Sequence, residues 1–174
     1  MKVLIPVCLF LSWYLSAGSG ILFPGSVSPT AAASDTFRLE TPALEVQPDS
    51  QVCVPVFADT IDQILSMQFS LHWDPAVLEF RQVTSLSLPS LGRSNFGTHS
   101  VRQGTLTFSW YDPQLRGLSR TGRVHCFDLC FRATGAAGSY SDLTVDGSPT
   151  VVEIADAAGH ILPLVCRNGR VQVR

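Results

Sequence analysis

Few residues in this chain are equipped for chemistry, and their spacing decides what they could do. Its 174 residues include four histidines, His72, His99, His125 and His160, and only four glutamates, Glu40, Glu45, Glu79 and Glu153. The histidines fall one to a segment, a spacing that does not of itself define a metal triad. Hydrolysis of a glycosidic bond needs two carboxylates facing a cleft at a set separation, and a chain of short strands offers no evident cleft for such a pair. There is no GxSxG nucleophile elbow, no HExxH, no glycine-rich phosphate loop and no EF-hand-type calcium loop. Asp74 stands beside Pro75, where it reads as a turn cap rather than as an acid or base. No catalytic residue, metal site or cofactor is expected.

Cysteine offers a second kind of chemistry. Cys8 falls in an apolar leader, which leaves Cys53, Cys126, Cys130 and Cys166, an even number that admits one or two disulfides in an exported protein. Cys126 and Cys130, on one strand, would lie about 13 Å apart, beyond bonding reach. Beyond that, spacing alone does not choose among the pairings. A zinc site is the competing reading, and it lacks a CxxC pair.

Aromatic rings could stack on sugars, and Trp73, Trp110 and Tyr111 are the candidates. Alternation puts Trp73 with Met67, Phe69 and Leu71, and Trp110 with Leu106 and Phe108, on apolar faces; only Tyr111 reads as outward. Direct glycan binding, as in a carbohydrate-binding module, is therefore the alternative reading.

The elements that must position these residues are short strands. Lys2, the apolar stretch 3–15 and Ser16-Ala17-Gly18 make residues 1–20 a signal peptide, too short in its apolar run to span a bilayer. Residues 21–35 are a Ser/Pro/Ala-rich tether. From residue 36 to 174, alternating segments are separated by turn residues, and no window keeps helical periodicity for three turns. Strands are expected at 37–46, 51–59, 66–73, 78–85, 96–101, 105–112, 123–133, 143–154 and 165–173, which makes an all-β sandwich. The sharpest local signal is SMQFSLHWDPAVLEF, where Asp74 caps a turn and Pro75 fits its first position. The net charge is −2, and apart from Lys2 every basic residue is a scattered arginine, which argues against a nucleic-acid partner. Arg116, Arg120 and Arg123 lie in a Gly-containing stretch read as a solvated loop.

Taken in order, VCVPVFAD, QFSLHWDPAVLEF, GTLTFSWYDP, VHCFDLCFRATGAAGS and NGRVQV resemble the strand motifs of bacterial cohesin domains over residues 39–173. The resemblance implies a nine-stranded β-sandwich of jelly-roll topology and a non-catalytic, extracellular or cell-surface module that binds dockerins, the calcium being carried by the dockerin. It implies polysaccharide-degrading assemblies as a setting. It also implies that one sheet holds the third, fifth, sixth and eighth strands and binds the partner through its outer face, here Ser66, Gln68, Ser70, His72, Thr107, Ser109 and Tyr111. The plainer reading of each residue is the wet side of an amphipathic strand. The family's strand order places the second strand beside the seventh, and resemblance to members with a cysteine before the F-x-A segment favours a Cys53–Cys130 disulfide. Cohesins usually occur in series, whereas this chain carries a single sandwich, so an adhesive or surface-layer role is a third reading.

Overall fold

The longest strand grows from the most regular alternation in the chain. The computed structural model describes residues 36–174, so the signal peptide expected at 1–20 and the tether expected at 21–35 lie outside the described residues. Thirteen strands follow in order: β1 (Phe37–Glu40), β2 (Leu44–Val46), β3 (Gln51–Ala58), β4 (Ile61–His72), β5 (Leu78–Thr84), β6 (Phe96–Gly97), β7 (Thr105–Tyr111), β8 (Leu118–Arg120), β9 (Val124–Ala133), β10 (Tyr140–Asp146), β11 (Glu153–Asp156), β12 (Leu164–Arg167) and β13 (Gly169–Val173). Five of them form one sheet in the order β12-β1-β3-β9-β5. The other eight form the second, β2-β13-β10-β4-β7-β6, with β8 and β11 also paired to β4. The expected all-β sandwich is present.

The strand count rises from nine to thirteen for identifiable reasons. The first and last expected strands are each cut in two because both change sheets. β1 pairs with β12 in the five-stranded sheet, and β2 pairs with β13 in the eight-stranded one. The two crossings sit side by side, where the Gly169 N–H donates to Thr41 Oγ1 at 2.7 Å. A Cβ on Gly169 would lie 2.3 Å from the Pro42 carbonyl oxygen, so only glycine permits this approach. Pro42, lacking an N–H, interrupts a ladder at little cost. The expected eighth strand is likewise split into β10 and β11 by the loop 147–152, and the fifth is reduced to β6. The stretch read as a solvated arginine loop contains β8, and Arg123 pairs with Glu40 at 3.1 Å while lying 3.7 Å over the Phe57 ring.

Inward side chains meet between the sheets. Met67, Phe69 and Leu71 of β4, Leu106, Phe108 and Trp110 of β7, and Phe127, Leu129 and Phe131 of β9 are all buried. Each contributes about 1.5–3 kcal/mol relative to exposure. Phe108 contacts Phe69, Phe96 and Phe127 with ring centroids 4.8, 5.2 and 5.1 Å away. Trp110 donates its indole N–H to the Pro89 carbonyl at 2.8 Å, whereas the buried Trp73 Nε1 has no acceptor among the described residues.

The DP corner closes as its residues dictate. Asp74 Oδ1 accepts the Ala76 N–H at 2.8 Å, and its carbonyl accepts from Leu78 at 2.9 Å. The chain then enters β5. At this same end of β4, Gly104 takes φ +77° and its carbonyl accepts the Trp73 N–H at 3.0 Å.

β3 and β9 place Cys53 opposite Cys130, and the two are bonded with Cα atoms 4.0 Å apart. The expected pairing is therefore present. Cys53 is exposed, whereas Cys130 is covered because β9 lies between β3 and β5, with Thr84 Oγ1 3.4 Å from its sulfur. A bulge where Val56 pairs with Phe127 and Phe57 with His125 makes Cys126 the extra residue of β9. It turns into the core, and burial pushes its thiol up to about 12. Cys166 on β12 is also free, half-buried, and pushed up to about 11 by burial.

Candidate partner-binding face

The outer face of the eight-stranded sheet is built in cross-strand rows centred on β4. Because Met67, Phe69 and Leu71 point inward, Ser66, Gln68, Ser70 and His72 point outward, and register aligns them with outward residues of β7. Tyr111 lies opposite Ser66, Ser109 opposite Gln68, Thr107 opposite Ser70 and Thr105 opposite His72. On the other flank, β11 sets Ala155 beside Ser66 and Glu153 beside Gln68, while β10 sets Asp146 beside Ser70 and Thr144 beside His72. Ile161 extends the first row through a bridge to Ala155.

The expected residues thus share one face, but they are not equally available. Tyr111 and Ser109 are exposed, and Ser66, Gln68, His72 and Thr107 are half-buried. Ser70 is fully buried, which corrects the expectation that it meets a partner. Its hydroxyl accepts the Thr150 N–H at 3.0 Å and lies 3.5 Å from the Thr150 carbonyl, so the loop 147–152 is hooked over it. His72 is engaged within the chain, Nε2 with Asp146 Oδ1 at 2.9 Å and Nδ1 with Thr105 Oγ1 at 3.2 Å. Slight burial works to raise the Asp146 pKa, but the Ser148 N–H and His72 outweigh it and hold the carboxyl below its ordinary value.

Beyond Tyr111 the face ends in a turn held by Asp112. Its carboxylate accepts the N–H groups of Gln114, Arg116 and Gly117 at 3.1, 3.1 and 3.0 Å. The bond from Gln114 is the strongest reason its pKa is lowered, and burial opposes it.

Ion pairs occur on both sheets. The five-stranded side carries Arg123–Glu40 at 3.1 Å, Arg81–Glu79 at 3.1 Å and His125–Asp128 at 2.7 Å, and the eight-stranded side carries His72–Asp146 at 2.9 Å and Arg170–Asp142 at 2.6 Å. The rows Tyr111–Ser66–Ala155–Ile161 and Ser109–Gln68–Glu153 hold no ion pair among the described residues. Glu153, Ala155 and Ile161 were missed from the sequence because 143–154 read as one unbroken strand. The available signals were Gly147 and Pro149, which mark a break.

The candidate ligands of the sequence do not meet. His72, His125 and His160 each face a different aspartate, Asp146, Asp128 and Asp156, and no metal-ligating cluster of three occurs among the described residues. A cleft of about 620 Å³ lies away from the rows, at the β3–β4 turn, lined by Phe37, Arg38, Asp59, Ile61, Asp62 and Arg120 among others.

A two-sheet sandwich with one broad sheet face of outward hydrogen-bonding groups has the architecture of a binding module. The model of the cohesin domain family matches residues 37–173, and the chain belongs to that family of non-catalytic modules. Solved structures agree in fold. A non-cellulosomal cohesin from the hyperthermophilic archaeon Archaeoglobus fulgidus is 26% identical, with a TM-score of 0.62 over 80% of this chain and 91% of that one. The sixth cohesin of Acetivibrio cellulolyticus scaffoldin B, solved in complex with a Cel5 dockerin mutant, is 23% identical, with a TM-score of 0.67 over 80% and 99%. The Coh-OlpA–Doc918 complex of Clostridium thermocellum contains a chain 12% identical, with a TM-score of 0.67 over 80% and 99%. No curated protein matches the chain.

Proposed function

We propose that the chain is a secreted, non-catalytic cohesin that binds a dockerin-type module through the outer face of its eight-stranded sheet. The observation that carries the reading is the pair of ion-pair-free rows through Ser66 and Gln68 on a cohesin sandwich. Among the described residues, these rows leave hydrogen-bonding and apolar side chains without partners, as a docking surface requires. Dockerin complexes among the similar solved structures support the choice of partner. In this reading calcium resides in the dockerin, the signal peptide and tether of residues 1–35 direct export, and extracellular polysaccharide-degrading assemblies are one setting. The archaeal relative is itself described as non-cellulosomal, so the reading does not depend on a cellulosome.

The test is calorimetric titration of the full chain with dockerins encoded in the same genome, with calcium and again with chelator, beside a titration with soluble polysaccharides. Calcium-dependent binding that is lost in a Gln68→Arg, Ser109→Arg double variant is the expected result. Saturable polysaccharide binding without dockerin binding would overturn it in favour of a carbohydrate-binding module. Silence in both titrations would leave the adhesive reading.

A further inference from the structure

The row Tyr111–Ser66–Ala155–Ile161 has large walls and a small floor. Tyr111 is 61% exposed and Ile161 59% exposed, and they stand three strand spacings apart, about 14 Å. Between them, Ser66 and Ala155 raise little above the backbone. The result is a shallow trough running along the strands, wide enough for a helix of about 10–12 Å diameter.

One residue pair further along, about 7 Å, the trough meets Ser109, Gln68 and Glu153. The carboxylates bordering the rows on either side are already matched, Asp146 with His72 and Asp156 with His160, each at 2.9 Å. Glu153 is exposed, and among the described residues it has no cation within 4 Å and no hydrogen-bond donor. A partner that covers the trough takes water away from this carboxylate, and a buried unpaired charge is costly. The occupant must therefore bring a cation.

We infer that Glu153 is the charge that sets specificity on this face, and that it selects a partner helix carrying a lysine or arginine one turn from a small residue, seated between Tyr111 and Ile161. This rests on the dockerin reading above. The small residue settles over Ser66 and Ala155, and a basic residue four positions along, about 6 Å away, comes over Glu153. Gln68 and Ser109 complete its hydrogen bonds. A helix with an acidic residue at that position is rejected by repulsion as well as by lost pairing.

The probes are calcium-loaded dockerins of the source genome and the Cel5 dockerin of Acetivibrio cellulolyticus, titrated against the full chain and its Glu153→Gln and Glu153→Lys variants. Glu153 is exposed, so both variants should melt with the wild type. Binding should weaken roughly 10-fold in Glu153→Gln and 100-fold or more in Glu153→Lys, and a lysine- or arginine-to-glutamate change on the dockerin should restore binding to Glu153→Lys. Binding of both variants within twofold of wild type, while Gln68→Arg abolishes it, would overturn the inference and leave the dockerin reading standing. A wild type that binds no dockerin overturns both.

Discussion

Removing the Cys53–Cys130 bond should cost stability and leave binding untouched. The bond closes a sequence separation of 77 residues. Chain-entropy arithmetic for a loop of that length gives about 4.5 kcal/mol at 25 °C. For a domain of this size, at about 3 °C per kcal/mol, the melting temperature should fall by roughly 13 °C. Two perturbations separate the cross-link from packing. Wild type melted in strong reductant loses the cross-link alone, whereas Cys53→Ala, Cys130→Ala also loses the sulfur that fills a covered position beside Thr84, worth about 1 kcal/mol more. Because the bond lies on the five-stranded sheet, behind the core from Ser66 and Gln68, the dissociation constant of either form, measured well below its melting point, should stay within about twofold of wild type. Reduced wild type melting within about 3 °C of the oxidised protein would refute the entropic argument, and a large drop seen only in the alanine variant would reassign the stability to packing.

Trp73→Phe should be milder than Trp110→Phe by about 1–3 kcal/mol in urea unfolding, because only Trp110 surrenders a made hydrogen bond, to the Pro89 carbonyl; equal losses would contradict this. Ser70→Ala strips the Thr150 N–H of its acceptor and should loosen residues 147–152, read as faster amide exchange there with the sheet's protection unchanged. Asp112 contributes stability through a lowered pKa, so that contribution is present above the ordinary carboxylate value, about 3.9, and is lost as pH falls through the folded value. Asp112→Asn should accordingly flatten the acid limb of the stability–pH profile below about pH 4, and an unchanged limb would contradict the assignment.

Much of the sandwich was legible because strand alternation is local. Met67 to Trp73 and Leu106 to Trp110 announce their faces residue by residue, and Asp74-Pro75 announces the corner. Parity breaks between Val124 and Phe127, and the bulge at Cys126 is its physical meaning. What stayed hidden depends on residues far apart in the chain. The sheet crossing of β1 and β2 relies on Gly169 lying against the Pro42 carbonyl, 127 positions away, and neither residue declares the other. On the face, Ser66, Gln68, Ser109 and Tyr111 followed from alternation together with the resemblance. The burial of Ser70 did not, because outward on a strand means solvent only where no loop folds back. Glu153 escaped for a related reason, since its place beside Gln68 is set by how β11 rejoins β4 after the loop.

That loop leaves the edge of β4 opposite Ser70 and rejoins it opposite Gln68, so the ladder hardly registers what lies between. Residues can be inserted at 147–151 outside the hydrophobic core, so long as Thr150 stays over Ser70 and Val152 keeps its packing, and doubling the length of such a loop costs only about 0.6 kcal/mol. Descendants of this sequence can therefore reshape the rim beside Glu153 by changing segment length, diverging in the company they keep while inheriting the same scaffold.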